Sequence, residues 1–169
     1  MKSVDKYLFQ ALDNYPYWLE GTIESLDYAL SYDDKNTTAL CLYGRIHAEQ
    51  LQDYEGAKNY FQQVISIDIL ALEVYPYYIE TLLLNEDFEE AQKLIDFALT
   101  IKGVKKVEIK LKLVSLLERQ LQFKKATKLL KKVKLELISS DYNHQIEETE
   151  KRLKLKLETN SNDKKKKRK

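Results

Sequence analysis

The side chains with the widest chemical scope in this 169-residue chain are its one cysteine, Cys41, and its two histidines, His47 and His144. A cysteine acts as a nucleophile when a basic neighbour holds it as thiolate. Histidines bind a metal when a second imidazole, a thiolate or a carboxylate recurs at short, fixed spacing. Neither pattern occurs here. Cys41 stands alone, which excludes an intrachain disulfide and a thiolate cluster, and it has no evident basic neighbour. His47 and His144 lie far apart, each without a partner at a recognised ligand spacing. A glycine-rich phosphate loop and a nucleophile elbow are also missing. The expectation is a protein that is not an enzyme, with no cofactor, no metal site and no catalytic residue, in which Cys41 and His47 serve packing.

The elements that carry these residues repeat. Tyr54, Ala57, Phe61 and Val64 stand at steps of three, four and three; so do Phe88, Ala91, Ile95, Ala98 and Phe123, Ala126, Leu130, Val133. A weaker copy, Leu19, Thr22, Leu26 and Ala29, precedes them, and the copies recur every 34 or 35 residues. At about 100° per residue, such steps gather four side chains on one face of a helix. The small residue admits a neighbouring helix closely, and the larger ones fill the space around it. Between these helices, residues 3–14, 37–51, 71–84 and 105–120 carry apolar residues at helical spacing and supply the other half of each unit. The unit is helix, short turn, helix.

Local signals place the ends. Asp53 and Asp87 precede second helices as N-caps, and Asp87 with Glu90 has capping-box spacing. Gly103 is placed to end the third second-helix in a left-handed conformation. Pro16 is expected to open a helix, and Pro76 to kink one or delay its start. A last helix over about 141–158 is capped by Asp141, carries the stripe Tyr142, Ile146, Thr149, Leu153 and Leu157, and has three Glu-to-Lys/Arg pairs at i, i+4. From Thr159 the chain reads TNSNDKKKKRK, a basic tail, residues 159–169, expected to be disordered.

With its 34-residue period, small residues at the equivalent of position 20 and aromatics at position 17 in three copies, the chain resembles the tetratricopeptide repeat (TPR) family over about residues 3–138. It lacks the family's tryptophan and proline, and one extra residue between Gly44 and Tyr54 alters that turn. The resemblance implies an all-α fold: an α-α superhelix, or solenoid, of about four TPR-like helix pairs with a C-terminal capping helix, together spanning residues 1–158. It also implies a non-catalytic scaffold or adaptor that binds a peptide or protein on a concave face lined by the first helices. On that face fall Arg45, Glu49, Tyr77, Glu80, Leu84, Ser115 and Arg119. Relatives that clamp a chaperone's carboxyl-terminal tail place Lys and Asn there, whereas this chain has Cys41, Arg45, Pro76, Glu80, Leu111 and Ser115. A carboxylate clamp is not expected.

Four glycines and two prolines fit helix throughout. No run near eighteen apolar residues and no charged-then-apolar leader occurs, so the expected location is cytoplasmic. The net charge of +1 hides a division. Residues 1–100 hold 6 Lys or Arg against 18 Asp or Glu, and residues 101–169 hold 22 against 9. Eleven of the twelve tyrosines lie at or before Tyr78. The basic half, with the tail Lys164, Lys165, Lys166, Lys167, Arg168 and Lys169, suggests a second class of partner: nucleic acid, an acidic protein, or the acidic end of another copy in a homo-oligomer. FKKATKLLKKVKLELI is basic and amphipathic, but its apolar positions are those the repeat packs, so a membrane partner is not expected.

Overall fold

A computed structural model describes residues 3–166, with side chains over 6–160. The fold is all-α. Nine α-helices are described: α1 (Ser3–Asn14), α2 (Leu19–Tyr32), α3 (Thr37–Arg45), α4 (Tyr54–Ile67), α5 (Val74–Leu84), α6 (Phe88–Thr100), α7 (Lys106–Arg119), α8 (Phe123–Glu136) and α9 (Asn143–Lys166). The chain divides into two compact units, Met1–Glu86 and Asp87–Lys169. In the first, α1 packs on α2, α2 on α3, α3 on α4 and α4 on α5; in the second, α6 packs on α7, α7 on α8 and α8 on α9.

The recurring positions are the buried ones. Thr22, Leu26 and Ala29 on α2, Ala57, Phe61 and Val64 on α4, Ala91, Ile95 and Ala98 on α6, and Ala126, Leu130 and Val133 on α8 are all at most 2% exposed. The leading members Leu19, Tyr54, Phe88 and Phe123 are half-buried, as residues in the first turn should be. The first unit's tyrosines bind helix to helix. Tyr7 stacks on Tyr28 and Tyr32, Tyr43 on Tyr60, and Phe61 tilts against Tyr78. That use of flat rings as spacers accounts for much of the tyrosine excess in the first half.

The turns before α4, α6 and α8 repeat as well. Gln52, Glu86 and Leu121 all have positive φ, at 53°, 62° and 59°. An L-residue in this left-handed region is strained, and Leu121, 72% exposed, gains little burial in return. Replacing Leu121 by Gly should therefore raise stability by about 0.5–1 kcal/mol, read as a higher urea midpoint. A lower midpoint would mean that the leucine contacts outweigh the backbone strain.

Several local expectations are corrected. Asp53 does cap α4, accepting from the Gly56 N–H at 3.0 Å. Asp87 occupies the N-cap of α6 but makes no side-chain cap bond there. Gly103 has φ 95°, yet α6 is already capped at Ile101, so the glycine shapes the following turn. Pro16, after a cis peptide bond, lies in the turn before α2 and does not open it; Pro76 falls in the first turn of α5, whose start is delayed to Val74. The residue added after Gly44 is absorbed by a π turn, Ile46–Gln50, closed by the Leu51 N–H on the Ile46 carbonyl at 3.1 Å.

Helix α9 starts at Asn143, which leaves Asp141 one position ahead of the cap, where it accepts from the Ser139 hydroxyl at 2.8 Å. Its stripe packs as expected: Ile146, Thr149 and Leu153 are buried, with Ile146 and Leu153 joining Leu111, Val114, Leu130 and Val133 in one core. The i, i+4 pairs give way to tertiary ones. Arg152 turns to Glu118 and Glu150 takes Lys134 at 2.8 Å, while Lys151 pairs within α9 but at i, i+3, with Glu148 at 3.0 Å. Helix α9 is described to Lys166, past Thr159, where the basic tail was expected to begin. Lys167, Arg168 and Lys169 lie outside the described residues, as do the side chains of Lys164, Lys165 and Lys166.

Candidate interaction site

Arg45 ends α3 and is held by residues from both sides in sequence. Its guanidinium carbon lies 4.7 Å from the Tyr15 ring centroid and 4.3 Å from that of Tyr77. A delocalised cation between two ring faces is attracted by both quadrupoles. The π turn sets Glu49 against this group: its Oε1 accepts from Arg45 Nε at 3.2 Å, and its Oε2 accepts from the Tyr15 hydroxyl. Tyr15 follows α1 directly, tied by its N–H to the Ala11 carbonyl at 3.1 Å. Tyr77 sits in the first turns of α5. The cluster therefore joins the ends of α1 and α3 to the start of α5, all inside the first unit.

The electrostatics are self-consistent. Burial raises the Tyr15 phenol to about 12, helped by its hydrogen bond to Glu49, so it stays a donor at neutral pH. For Arg45, burial acts to lower the pKa, and the hydrogen bond and charge of Glu49 more than reverse it, leaving the guanidinium above its ordinary value. Cys41, one turn before Arg45, is 4% exposed. Burial, reinforced by the charge of Glu73, pushes its thiol to about 12. Arg45, four residues on along the same helix, is a basic neighbour, which corrects the expectation of none; its field lowers the thiol pKa but is outweighed by desolvation. Cys41 is thus a protonated packing residue.

His47 performs a structural task. Its Nδ1 lies 2.8 Å from Asp53 Oδ2, and its ring leans on Tyr60 with centroids 5.1 Å apart. Asp53 is held below the usual carboxylate range, first by the Gly56 N–H and then by His47. Imidazole and carboxylate together clasp the π turn to the start of α4. His144 is exposed on α9. Among the described residues, no three His, Cys, Asp or Glu side chains are placed to share a metal ion. Among them, too, no helix is long and apolar enough to cross a membrane.

Of the seven residues expected to line a binding face, Arg45, Glu49 and Tyr77 come together. Glu80, half-buried, and Leu84, 39% exposed, follow Tyr77 on α5. Ser115, half-buried, and Arg119, exposed, belong to α7 in the second unit. They do not line the open hollow of about 600 Å³ there, whose walls include Leu121, Phe123 and Leu157. Tyr15 was missed: its Tyr-Pro-Tyr triplet reads as a connection, and spacing along one helix carries no signal for a ring brought in from another. No protein-family model matches the chain, and no curated protein matches it.

Proposed function

We propose that the chain is a non-catalytic protein-interaction scaffold, built as an α-α superhelix of tetratricopeptide-like helix pairs. The observation that supports this most directly is the Tyr15, Arg45, Tyr77 stack with Glu49, in which half-buried rings and fixed charges from the end of α1, the end of α3, the π turn and the start of α5 are held together. Rigid rings with few rotamers to lose are suited to peptide contact, and Arg and Tyr are the side chains that dominate binding hot spots. Charge narrows the partner. Arg45 is already neutralised by Glu49, and residues 1–86 hold 14 Asp or Glu against 5 Lys or Arg. The face thus suits an extended segment with basic and apolar side chains and disfavours a free terminal carboxylate.

Selection of peptides from a random displayed library tests this. Basic, aliphatic-rich segments should be enriched, and Arg45→Ala or Tyr77→Ala should weaken the selected peptide at least about tenfold, roughly 1.4 kcal/mol, with the helical circular dichroism unchanged. Peptides that bind both variants as well as the parent would place recognition elsewhere, and the proposal would fail.

A further inference from the structure

Helix α8 carries a face that the packing of the repeat does not require. Its buried stripe is Ala126, Leu130 and Val133. On the opposite side lie Lys124, Lys125, Lys128, Lys131 and Lys132, all exposed, within an arc of about 120° at 100° per residue. None of the five is ion-paired to another described residue. The lysines nearby behave differently: Lys110 pairs with Glu136, Lys134 with Glu150, and Lys156 with Glu118.

The other second helices supply an internal control. Positions two before, two after and five after the small buried residue are exposed in every copy. On α2, around Thr22, they are Glu20, Glu24 and Asp27; on α4, around Ala57, they are Glu55, Asn59 and Gln62. On α6, around Ala91, they are Glu89, Lys93 and Asp96; on α8, around Ala126, they are Lys124, Lys128 and Lys131. The same architecture accepts acidic, neutral and basic side chains at these three places. An all-lysine set on α8 is therefore a property of that surface and not of the fold.

We infer that the lysine face of α8 is a docking surface for the phosphate backbone of nucleic acid, read without regard to base sequence. The three aligned lysines form a row of about 10 Å at 1.5 Å per residue. A duplex presents about six phosphate charges over that length, so each lysine meets an anion without bending the duplex. Base readout draws chiefly on the planar forks of Arg, Asn and Gln, and every polar side chain of the arc is a lysine, which contacts phosphate as a point charge. A lipid surface fits less well. The apolar stripe that an interfacial helix would insert is buried in the unit's own core, and within the lysine arc only Leu135, 88% exposed, is apolar.

The test is fluorescence anisotropy of two labelled 24-base-pair duplexes of unrelated sequence with the full chain, titrated between 50 and 200 mM salt. Both duplexes should bind alike, with affinity falling on the order of 10²- to 10³-fold across that range if all five lysines engage. The variant Lys124→Glu, Lys128→Asn, Lys131→Gln installs the residues that α4 carries at the same places, so folding is preserved by the protein's own precedent. It should flatten the slope of log affinity against log salt by about 2.7, or 0.9 for each lysine removed. Replacing the same three by Arg should restore the slope. Four results would overturn the inference: no binding at 50 mM salt, an unchanged slope in the first variant, a loss seen only on replacing Lys164, Lys165 and Lys166 by Gln, or binding confined to vesicles of anionic phospholipid.

Discussion

Replacing Phe61 by Ala should lower the stability of the first unit by about 3–5 kcal/mol, the largest single effect expected in this protein. Phe61 is fully buried, tilts against Tyr78 at 5.6 Å, and fills the space that Gly44 leaves open on α3. A Cβ on Gly44 would stand 2.5 Å from the Phe61 ring. In an exposed helix interior, Gly→Ala is stabilising by roughly 0.5–1 kcal/mol. Here the sign should reverse, with Gly44→Ala costing about 1–3 kcal/mol through overpacking. The two changes are coupled, because removing the ring makes room for the new methyl group. The double variant should be less destabilised than the sum of the singles by about 1 kcal/mol or more, as measured by urea denaturation. Strict additivity would show that the ring and the glycine do not share a contact.

The second large effect belongs to Glu118, whose side chain is 7% exposed at the end of α7. Arg152 meets it with both prongs, at 2.7 and 2.9 Å, and Lys156 adds a third bond at 2.7 Å. Burial acts to raise the Glu118 pKa, and the bonds from Arg152 and Lys156 reverse this, leaving it below its ordinary value of 4.5. A carboxylate with a depressed folded pKa contributes stability that is fully present above its unfolded value and is lost as pH falls through the folded one. Arg152→Ala leaves a buried carboxylate with one cation. The cost should be about 2–3 kcal/mol at pH 7, below the 3–5 of a wholly buried pair because Arg152 is itself half-exposed. The acid loss of stability should also begin at a higher pH than in the parent, since the Glu118 pKa moves up. Glu118→Gln should remove this contribution to the acid transition. Thermal melts between pH 3 and 7 check both, and identical pH profiles for parent and Arg152→Ala would refute the assignment.

These two sites differ in how far they can be read from the chain. Phe61 and Gly44 both lie on periodic helical patterns, and the steps of three and four identify which face of each helix is buried. That face is determined locally: side chains on one helix keep their angular positions whatever the helix meets. The same logic made the helix order, the buried set on α2, α4, α6 and α8, and the disturbed turn after Gly44 legible. The lysine row of α8 is defined by register against such a stripe too, but in the sequence it showed only as a basic, amphipathic segment.

Partner choice is another matter. Glu148 was expected to hold Arg152 on α9, and the sequence contains nothing to prefer Glu118 over it. A surface i, i+4 pair is worth only a few tenths of a kcal/mol, so a buried acceptor reached through a helix contact outcompetes it. Tyr15 came to Arg45 for a related reason. A stacked ring needs only proximity and orientation, and the turn around Pro16 that sets both has no periodicity to betray it. Cap chemistry failed in the same way at Asp87, where the right residue stood at the right place and its side chain made no cap bond. Composition and spacing thus determined the all-α class, the repeated unit and the inward faces, because those depend on angles within one helix. Which charges meet, which rings stack and which thiol is kept protonated were decided only by the tertiary structure, because those depend on distances between helices.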